Sequence, residues 1–139
     1  MTVPTEIELA SLNFSRFLMD AREISGLTST HQAYTMVEGV LRAFRRRLNV
    51  REAVAFANVL PPLLRAIFVA DWDVDEPTLP FEDRAVMTGE AQSLRHEHNF
   101  APDTALRDVA TALRRHVDED ALDRVLARLP EGATDFWRV

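Results

Sequence analysis

The sequence predicts an all-α protein: a single helical bundle built from two sequence-related helical halves. Three observations support this prediction. Apolar residues recur at intervals of three and four along the chain, no stretch alternates as a strand does, and one segment repeats 69 positions later. With 139 residues, of which 47% are hydrophobic and 27% charged, the composition is that of one ordinary globular domain spanning 1–139.

The first half is expected to contain helices separated by a glycine, an asparagine and a pair of prolines. One helix is predicted from near Asn13, or from an earlier residue, to Ser25, ahead of Gly26. The next is expected to begin at a cap, either Ser29 or Thr30. Its apolar stripe steps by three and four residues: Tyr34, Val37, Leu41, Phe44 and Leu48.

Asn49 marks the boundary between that helix and a third. An asparagine there stops the preceding helix and, with Glu52 three residues later, forms the pattern of a capping box. The third helix runs toward Leu60, where Pro61-Pro62 ends or kinks it. The apolar segment "LLRAIFVA" then continues as a helix.

The second half follows an acidic, proline-containing linker at 71–80, "DWDVDEPTLP". Three helices are predicted beyond it: Phe81 to about His98, Pro102 to Val117, and Glu119 to Leu129. The apolar pair Phe136-Trp137 aligns with Ile67-Phe68 of the first half. We therefore expect this pair to pack in the core.

An internal repeat relates the two halves, which cover about 14–70 and 83–137. Residues 35–68 lie without a gap on residues 104–137, and seven of these 34 pairs are identical. The identical pairs are Thr35/Thr104, Val40/Val109, Ala43/Ala112, Arg45/Arg114, Arg46/Arg115, Leu60/Leu129 and Pro61/Pro130. Each half carries an apolar stripe, so the two stripes are expected to bury each other in one core.

Charge is distributed unevenly along the chain, whose formal net charge is -6. Residues 1–69 hold 8 arginines and 6 acids, whereas residues 70–139 hold 8 arginines and 16 acids. A basic half and an acidic half could face each other within one chain or across two. The overall sign argues against nucleic acid or an anionic membrane as the main partner.

Other classes of protein are disfavoured by what the sequence lacks. Without cysteine there is no disulfide, thiolate nucleophile or cysteine metal site, and without lysine there is no Schiff-base chemistry. No apolar run approaches the roughly 18 residues of a membrane span, and the N-terminus lacks the pattern of a secretory signal. A cytoplasmic protein without a bound cofactor is therefore expected.

The segment "LRAFRRRLNV" places three consecutive arginines, Arg45, Arg46 and Arg47, in this acidic chain. Two of them recur as Arg114 and Arg115, again in the last turn before a capping residue. Exposed cations at a helix C-terminus contribute about 0.3–1 kcal/mol by offsetting its partial negative charge. We therefore interpret Arg45 and Arg46 as helix-end residues worth at most about 1–2 kcal/mol together, and not as contacts to nucleic acid.

The linker offers a candidate calcium loop. Asp71, Asp73, Asp75 and Glu82 occupy positions 1, 3, 5 and 12 of such a loop, and helices flank it. Position 6 is Glu76 where the sharp turn requires glycine, and prolines stiffen the backbone. The alternative interpretation is a solvated acidic linker.

"RHEHN" offers a candidate zinc site, with His96 and His98 on either side of Glu97. Residues two apart on a helix diverge, so the pair chelates a metal only where the helix has frayed, and a third ligand is needed. The alternative is a pair of partly exposed histidines near a helix end.

No arrangement for nucleophilic catalysis stands out, because the chain lacks a thiol, a phosphate loop and the Gly-x-Ser-x-Gly pattern. The favoured function is a non-enzymatic protein-interaction module, which binds an unknown protein or a second copy of itself. The alternative is a calcium- or zinc-binding protein, or a metal-dependent enzyme, that uses the 71–82 loop or the His96/His98 region.

The pattern of the first half resembles a known bacterial family. It begins "FLMDAREISGLTSTHQA", continues to an arginine-ended helix, passes "LP" and reaches "WD"; "LPPLLRAIFVADWD" is the most specific stretch. These motifs are similar to the domain-of-unknown-function family numbered 2267, over about residues 14–137. The resemblance implies an all-α fold of two related halves with Trp72 folded onto the core, and it supplies no activity. "LRHEHNF" departs from the pattern because it lacks the glycine of "SGLT".

Overall fold

A computed structural model describes residues 2–139, and this part of the chain is helical, without a strand. The first half contains α1 (Thr5–Glu8), α2 (Ala10–Ser25), α3 (Thr30–Arg45), α4 (Val50–Ala57) and α5 (Pro62–Val69). The second half contains α6 (Arg84–Ser93), a 3-10 helix (His96–His98), α7 (Ala105–Arg114), α8 (Glu119–Arg128) and α9 (Ala133–Phe136). The predicted all-α fold is confirmed.

The predicted caps set the helix ends in the first half. Ser29 is the N-cap of α3, and its hydroxyl accepts a hydrogen bond from a backbone N–H of the first turn. Asn49 caps α4 in a complete capping box, in which Glu52 accepts a bond from the Asn49 N–H. After α4 ends at Ala57, α5 begins at Pro62, because the first helical turn tolerates a residue without an N–H.

Four helices from both halves form the centre of the molecule. α3 packs against α6 and α2 packs against α7, while α2 also contacts α3, and α6 also contacts α7. Gly39 allows the backbones of α3 and α6 to approach, because a Cβ there would overlap the carbonyl oxygen of Ala91. Buried apolar residues from both halves form one core cluster.

A group of aromatic rings joins the two halves inside this core. The ring of Phe44 lies 4.7 Å from Phe56, 4.9 Å from Phe136 and 5.4 Å from Trp137, between centroids. Phe136 and Trp137 are fully buried, which confirms their predicted place in the core. Packed rings of this kind contribute about 0.5–1.5 kcal/mol per pair beyond their buried area.

The predicted helix from Phe81 to about His98 is shorter in the structure, where α6 covers only Arg84–Ser93. Phe81 packs its ring against Phe44 and close to Gly132, so it belongs to the segment before the helix. At the other end, Arg95 adopts a left-handed conformation with φ 50°, which takes the chain out of the helix.

The side-chain amide of Asn99 provides hydrogen-bond donors for backbone carbonyls at that end of α6. It donates to the carbonyl oxygens of Ala91 and Leu94, at 2.9 and 2.8 Å. The last carbonyls of a helix lack partners within the helix, so a side-chain donor from beyond its end stabilises the stop.

The other boundaries differ less from their predictions. α2 begins at Ala10, which agrees with the earlier start that the prediction left open, and α8 ends one residue before Leu129. α7 covers only Ala105–Arg114 of the predicted Pro102–Val117. Gln92 explains the late start, because its amide donates to Ala101 O and Asp103 Oδ1 and so holds residues 101–103 outside the helix.

Residues 70–83, which include the acidic linker, cross from α5 to α6 without a helix. Leu79 and Trp72 are among the residues that attach this segment to the end of α3. The backbone N–H of Leu79 donates to the carbonyl oxygen of Arg46 at 2.9 Å. Trp72 packs partly buried against the core, with the Arg45 guanidinium 5.5 Å from its ring centroid.

Candidate functional site

The end of α3 places its arginines against the end of α5. Arg45 is buried, and its Nη1 donates to the carbonyl oxygens of Phe68 and Ala70, at 3.0 and 2.9 Å. Carbonyls at a helix C-terminus lack partners within the helix, and a charged donor satisfies them strongly. Arg45 therefore fastens α5 to α3.

Arg47 lies in the interior, with a side chain that is 0% exposed. Its guanidinium donates to both carboxylate oxygens of Glu90 on α6, at 2.8 Å for the Nη1–Oε1 pair, and to the carbonyl oxygens of Ala43 and Pro80. Glu82 approaches to 3.4 Å. The hydrogen bond from Arg47 lowers the pKa of Glu90 below its ordinary 4.5 and outweighs burial, which raises it. The network is a buried, bidentate ion pair.

The predicted position of the arginines at a helix end is confirmed, and Arg46 is partly exposed there. α3 ends at Arg45 with Arg46 as its C-cap, and α7 ends at Arg114 with Arg115 as its C-cap. Arg45 and Arg47 are nevertheless buried, because α6 and the segment after α5 close over them. The small stabilisation energy of an exposed cation at a helix end therefore does not apply to the buried Arg45.

The basic half and the acidic half face each other within one chain. Arg46 pairs with Glu90 at 2.9 Å and with Glu76 at 3.4 Å, and Arg42 lies 3.6 Å from Asp71. All three acids belong to the linker or α6. The uneven charge of the sequence is thus balanced where α3 meets the second half.

A depression of about 310 Å³ lies beside this network, with Arg42, Arg46 and Arg95 in its lining. The buried Glu38 contacts two of them. Its Oε2 accepts a long bond from Arg42 at 3.4 Å, while its Oε1 is 3.9 Å from Arg95 and has no hydrogen-bond partner within residues 2–139. The arginines therefore surround a carboxylate that they do not fully satisfy.

Arg114 at the end of α7 makes the contact that Arg45 makes at the end of α3. Its Nη2 donates to the carbonyl oxygen of Trp137 at 3.1 Å, and its Nη1 donates to Asp123 at 3.0 Å. Trp137 follows α9 directly, so this arginine fastens the C-terminal helix.

The two residues that follow Arg114 are less enclosed. Arg115 is exposed and forms no ion pair within residues 2–139. His116 is half-buried, with its Nε2 2.6 Å from Asp20 Oδ2 of α2 and its ring edge-on to Phe17 at 5.7 Å.

Arg115 and His116 line a groove of about 570 Å³. Its walls are the start of α2, the turn between α4 and α5, and the turn between α7 and α8. Phe14, Val59 and Leu63 contribute apolar surface to it. No serine, threonine, cysteine or lysine lines the groove, so His116 and Asp20 have no nucleophile there to activate.

A family model for "Uncharacterized conserved protein (DUF2267)" matches residues 14–136. The matched span includes both arginine-ended helices and most of the groove. The chain belongs to the DUF2267 family. The resemblance noted in the sequence is confirmed, and no curated protein matches the chain. Within residues 2–139, this DUF2267 protein has no helix long and apolar enough to cross a membrane.

The four acids proposed as calcium ligands are not brought together in this DUF2267 protein. Asp71 and Glu82 lie near arginines of α3, at 3.6 and 3.4 Å, and Asp73 Oδ1 accepts from the backbone N–H of Asp75 at 3.0 Å. No group of three or more histidines and acids in residues 2–139 is placed to hold a metal ion. The calcium loop stays a prediction, without support from the geometry.

The proposed zinc ligands lie on the 3-10 helix after α6. His96 and His98 are both exposed there. Their position at the end of a helix agrees with the alternative interpretation, and a zinc site stays a prediction.

A second buried acid, Asp108, lies on α7. The hydroxyl of Thr104 donates to its Oδ2 at 2.7 Å. Burial is the main influence and raises the pKa of Asp108 above its ordinary 3.8, against the bond from Thr104, which lowers it. The Arg107 guanidinium, 4.0 Å away, also lowers this pKa, but unlike Arg47 beside Glu90 it does not outweigh burial.

Proposed function

We propose that this protein is a non-enzymatic, cytoplasmic interaction module that binds a partner protein in the groove beside His116. The observation that supports the proposal is the lining of the groove, which combines apolar walls with the unpaired cation Arg115 and holds no nucleophile. A partner segment with apolar side chains and one carboxylate fits this surface.

Exposed apolar residues at the N-terminus extend the surface beside the groove. α1 has no buried residue. Glu6, Ala10 and Asn13 line the groove, and the same stretch exposes four large apolar side chains: Val3, Ile7, Leu9 and Leu12. Clustered exposed apolar residues rimmed by polar ones are typical of protein-binding surfaces.

The expected charge of the partner depends on which cation in the groove is free to form an ion pair with it. Arg65 lines the groove, but its Nε and Nη2 already donate to the carbonyl oxygens of Ala57 and Leu60. Arg115 carries no such bonds. Because arginine forms bidentate pairs with carboxylates, Arg115 favours an acidic residue on the partner.

Site-specific crosslinking in the native host tests this proposal. A photo-crosslinking amino acid at Leu63, in the groove, is expected to yield one adduct. The same amino acid at Val86, which is exposed on α6 and outside the groove, serves as the matched control. Arg115→Glu should abolish the Leu63 adduct, because it places like charge against the partner's carboxylate.

The adduct is then identified by mass spectrometry and its acidic segment titrated as a peptide against the purified protein. Saturable binding that Arg115→Glu weakens supports the proposal. Equal adducts at Leu63 and Val86, or a Leu63 adduct that persists in Arg115→Glu, would contradict it. An adduct of doubled mass would show that the groove binds a second copy.

We further infer that the two halves are copies of one unit packed into a single domain. Hydrogen bonds recur at the spacing of the sequence repeat, 69 positions. Arg45 donates to the carbonyl oxygen of Phe68, and Arg114 donates to that of Trp137. The N-caps of α4 and α8 also occupy matching positions, and each accepts a backbone bond through its side chain.

Fragments 1–76 and 77–139 test this inference. Because α3 packs against α6 and α2 against α7, each fragment would lack half of the central helices. We expect both to be largely unfolded alone and to regain helical circular dichroism when mixed. Two fragments that each melt cooperatively alone would contradict a shared core.

A further inference from the structure

Three cations line the depression beside α6, and each of them also lies within 4.0 Å of a carboxylate oxygen. Arg42, Arg46 and Arg95 line its volume of about 310 Å³, together with Glu90 and Ser93. That volume lies at the small end of known ligand sites. Glu90 is already paired with the buried Arg47, so the remaining charge of the lining is positive.

Arg95 occupies a strained backbone position. Its φ of 50° and ψ of 49° are left-handed, where a side chain other than glycine is disfavoured. Gly26, 69 positions earlier, occupies the left-handed position that follows α2. Glycine thus suits this position after a helix, whereas Arg95 adopts the same backbone conformation at a cost in conformational energy. Such strain concentrates at functional sites.

The three guanidinium groups make few hydrogen bonds of their own. Within residues 2–139, Arg95 makes no side-chain hydrogen bond, Arg42 makes one long bond to Glu38, and Arg46 makes one to Glu90. The Nε atoms of Arg42 and Arg46 have no hydrogen-bond partner. Each guanidinium offers five N–H donors. The two Nε donors are buried, so a ligand in the depression would be bound by the Nη groups of Arg42 and Arg46 and by the exposed guanidinium of Arg95.

The other half of the chain does not repeat this set of cations. The residues 69 positions from Arg42 and Arg95 are Thr111 and Gly26, and only Arg46 has a cationic counterpart, Arg115. The helices of the second pair, α2 and α7, pack without the other two arginines. The cluster is therefore particular to the α3–α6 side.

We propose that Arg42, Arg46 and Arg95 bind the phosphate or carboxylate group of a small molecule. The planar guanidinium fork matches both groups in bidentate geometry. Asp71 and Glu76, which approach Arg42 and Arg46 at 3.6 and 3.4 Å from the exposed linker, are displaced by the ligand. The site shares no residue with the groove beside His116, so the two proposals stand independently.

NMR titration of the intact protein tests this proposal directly. Inorganic phosphate and succinate are added in separate titrations at constant ionic strength, while the arginine Nε–Hε signals are recorded. We expect saturable shifts confined to Arg42, Arg46 and Arg95. Saturation by phosphate alone identifies a phosphate ligand, and saturation by succinate alone identifies a carboxylate ligand.

Two variants that each remove one positive charge distinguish binding at this site from nonspecific attraction of anions to the protein. Arg95→Gly removes one cation and relieves the strained backbone, so its Tm should be unchanged or higher. Its affinity for the saturating anion should fall about tenfold or more, as expected for the loss of one charge-assisted bond. Arg124→Gln, which removes an exposed cation of α8 outside both the depression and the groove, should bind with unchanged affinity.

The proposal is overturned by shifts that stay linear in anion concentration for both probes. It is equally overturned if Arg95→Gly binds as tightly as the wild type, or if Arg124→Gln loses affinity to the same extent as Arg95→Gly.

Discussion

Helices α3 and α7 end in nearly the same residues, Arg45-Arg46-Arg47 and Arg114-Arg115-His116. The surroundings of these two groups of residues differ. At both ends the first arginine donates to a carbonyl at the end of the last helix of its half. The third residue differs: Arg47 is enclosed against Glu90, whereas His116 is half-buried against Asp20 beside an open groove.

The residue across from each helix end accounts for this difference. Glu90 on α6 faces Arg47, but the residue 69 positions before Glu90 is Ala21, which has no carboxylate. Asp20 pairs with His116 instead, and both of these side chains stay partly exposed. A helix-end pattern therefore determines where a cation lies along the helix, while the opposing helix determines whether it is buried.

The largest expected effect of a substitution is at Arg47. Arg47→Ala removes the enclosed main partner of Glu90, which is 21% exposed and keeps its pair with Arg46. We therefore expect a cost of about 3 kcal/mol of unfolding free energy, the low end for breaking a buried ion pair. His116→Ala, the matched change at the other end, removes one partly exposed bond and should cost about 1 kcal/mol. Urea denaturation followed by circular dichroism measures both; equal costs would contradict the contrast between the two ends.

The next effect concerns the arginines that both ends share. Arg45→Gln and Arg114→Gln each remove charged bonds to carbonyls, which contribute about 1.5–3 kcal/mol. The burial of Arg45 therefore raises the cost above the limit of about 1–2 kcal/mol that an exposed Arg45 and Arg46 pair implies. The same urea denaturation experiment measures both costs. A cost below about 0.5 kcal/mol at either position would contradict the role of that arginine in fastening a helix.

Acid should change the stability contributions of the half-buried Glu90 and the buried Asp108 in opposite directions. The pKa of Glu90 is lowered in the fold, so its contribution is full above 4.5 and is lost as the pH falls through the lower folded value. The pKa of Asp108 is raised above 3.8, so its charge destabilises the fold as the pH rises through the higher folded value.

Two substitutions separate these contributions. The deficit of Glu90→Gln relative to the wild type should be largest near neutral pH and shrink in acid. Asp108→Asn should stabilise the protein near neutral pH and lose that advantage in acid. Unfolding free energies across this pH range provide the check, and a deficit of Glu90→Gln that does not change with pH would refute the role of the Arg47 bond.

The smallest expected effect is that of calcium. Two of the four candidate ligands lie against arginines, so about 1 mM calcium should leave Tm unchanged. A site filled at 100 times its dissociation constant would instead add about 2.7 kcal/mol. A saturable rise in Tm that Glu82→Ala abolishes would establish the calcium loop and refute the interpretation as a solvated linker.

Features that depend on neighbouring residues could be predicted from the sequence. The capping box of Asn49 with Glu52 lies within one turn, and the break at Pro61-Pro62 follows from the missing N–H of proline. The burial of Trp137 followed from its alignment with Phe68, because the apolar stripe recurs at the same spacing.

Features that depend on contacts between distant segments could not be predicted in this way. The pair of Arg47 and Glu90 joins residues 43 positions apart, and no local pattern relates them. The sequence contained one usable indication, since Arg47 follows the buried Phe44 by three residues and so lies on the same face of α3. The early end of α6 was missed because Arg95 adopts a backbone conformation that favours glycine.

A pair of double-mutant cycles tests most directly whether the two helix ends differ as described. One cycle combines Arg47→Ala with Glu90→Ala, and the other combines His116→Ala with Asp20→Ala, with unfolding free energies measured for all six variants and the wild type. We predict a coupling of about 2–3 kcal/mol for Arg47 with Glu90 and less than about 1 kcal/mol for His116 with Asp20. A coupling below about 0.5 kcal/mol for Arg47 with Glu90, or equal couplings at the two ends, would contradict the assignment of Arg47 as a buried structural cation.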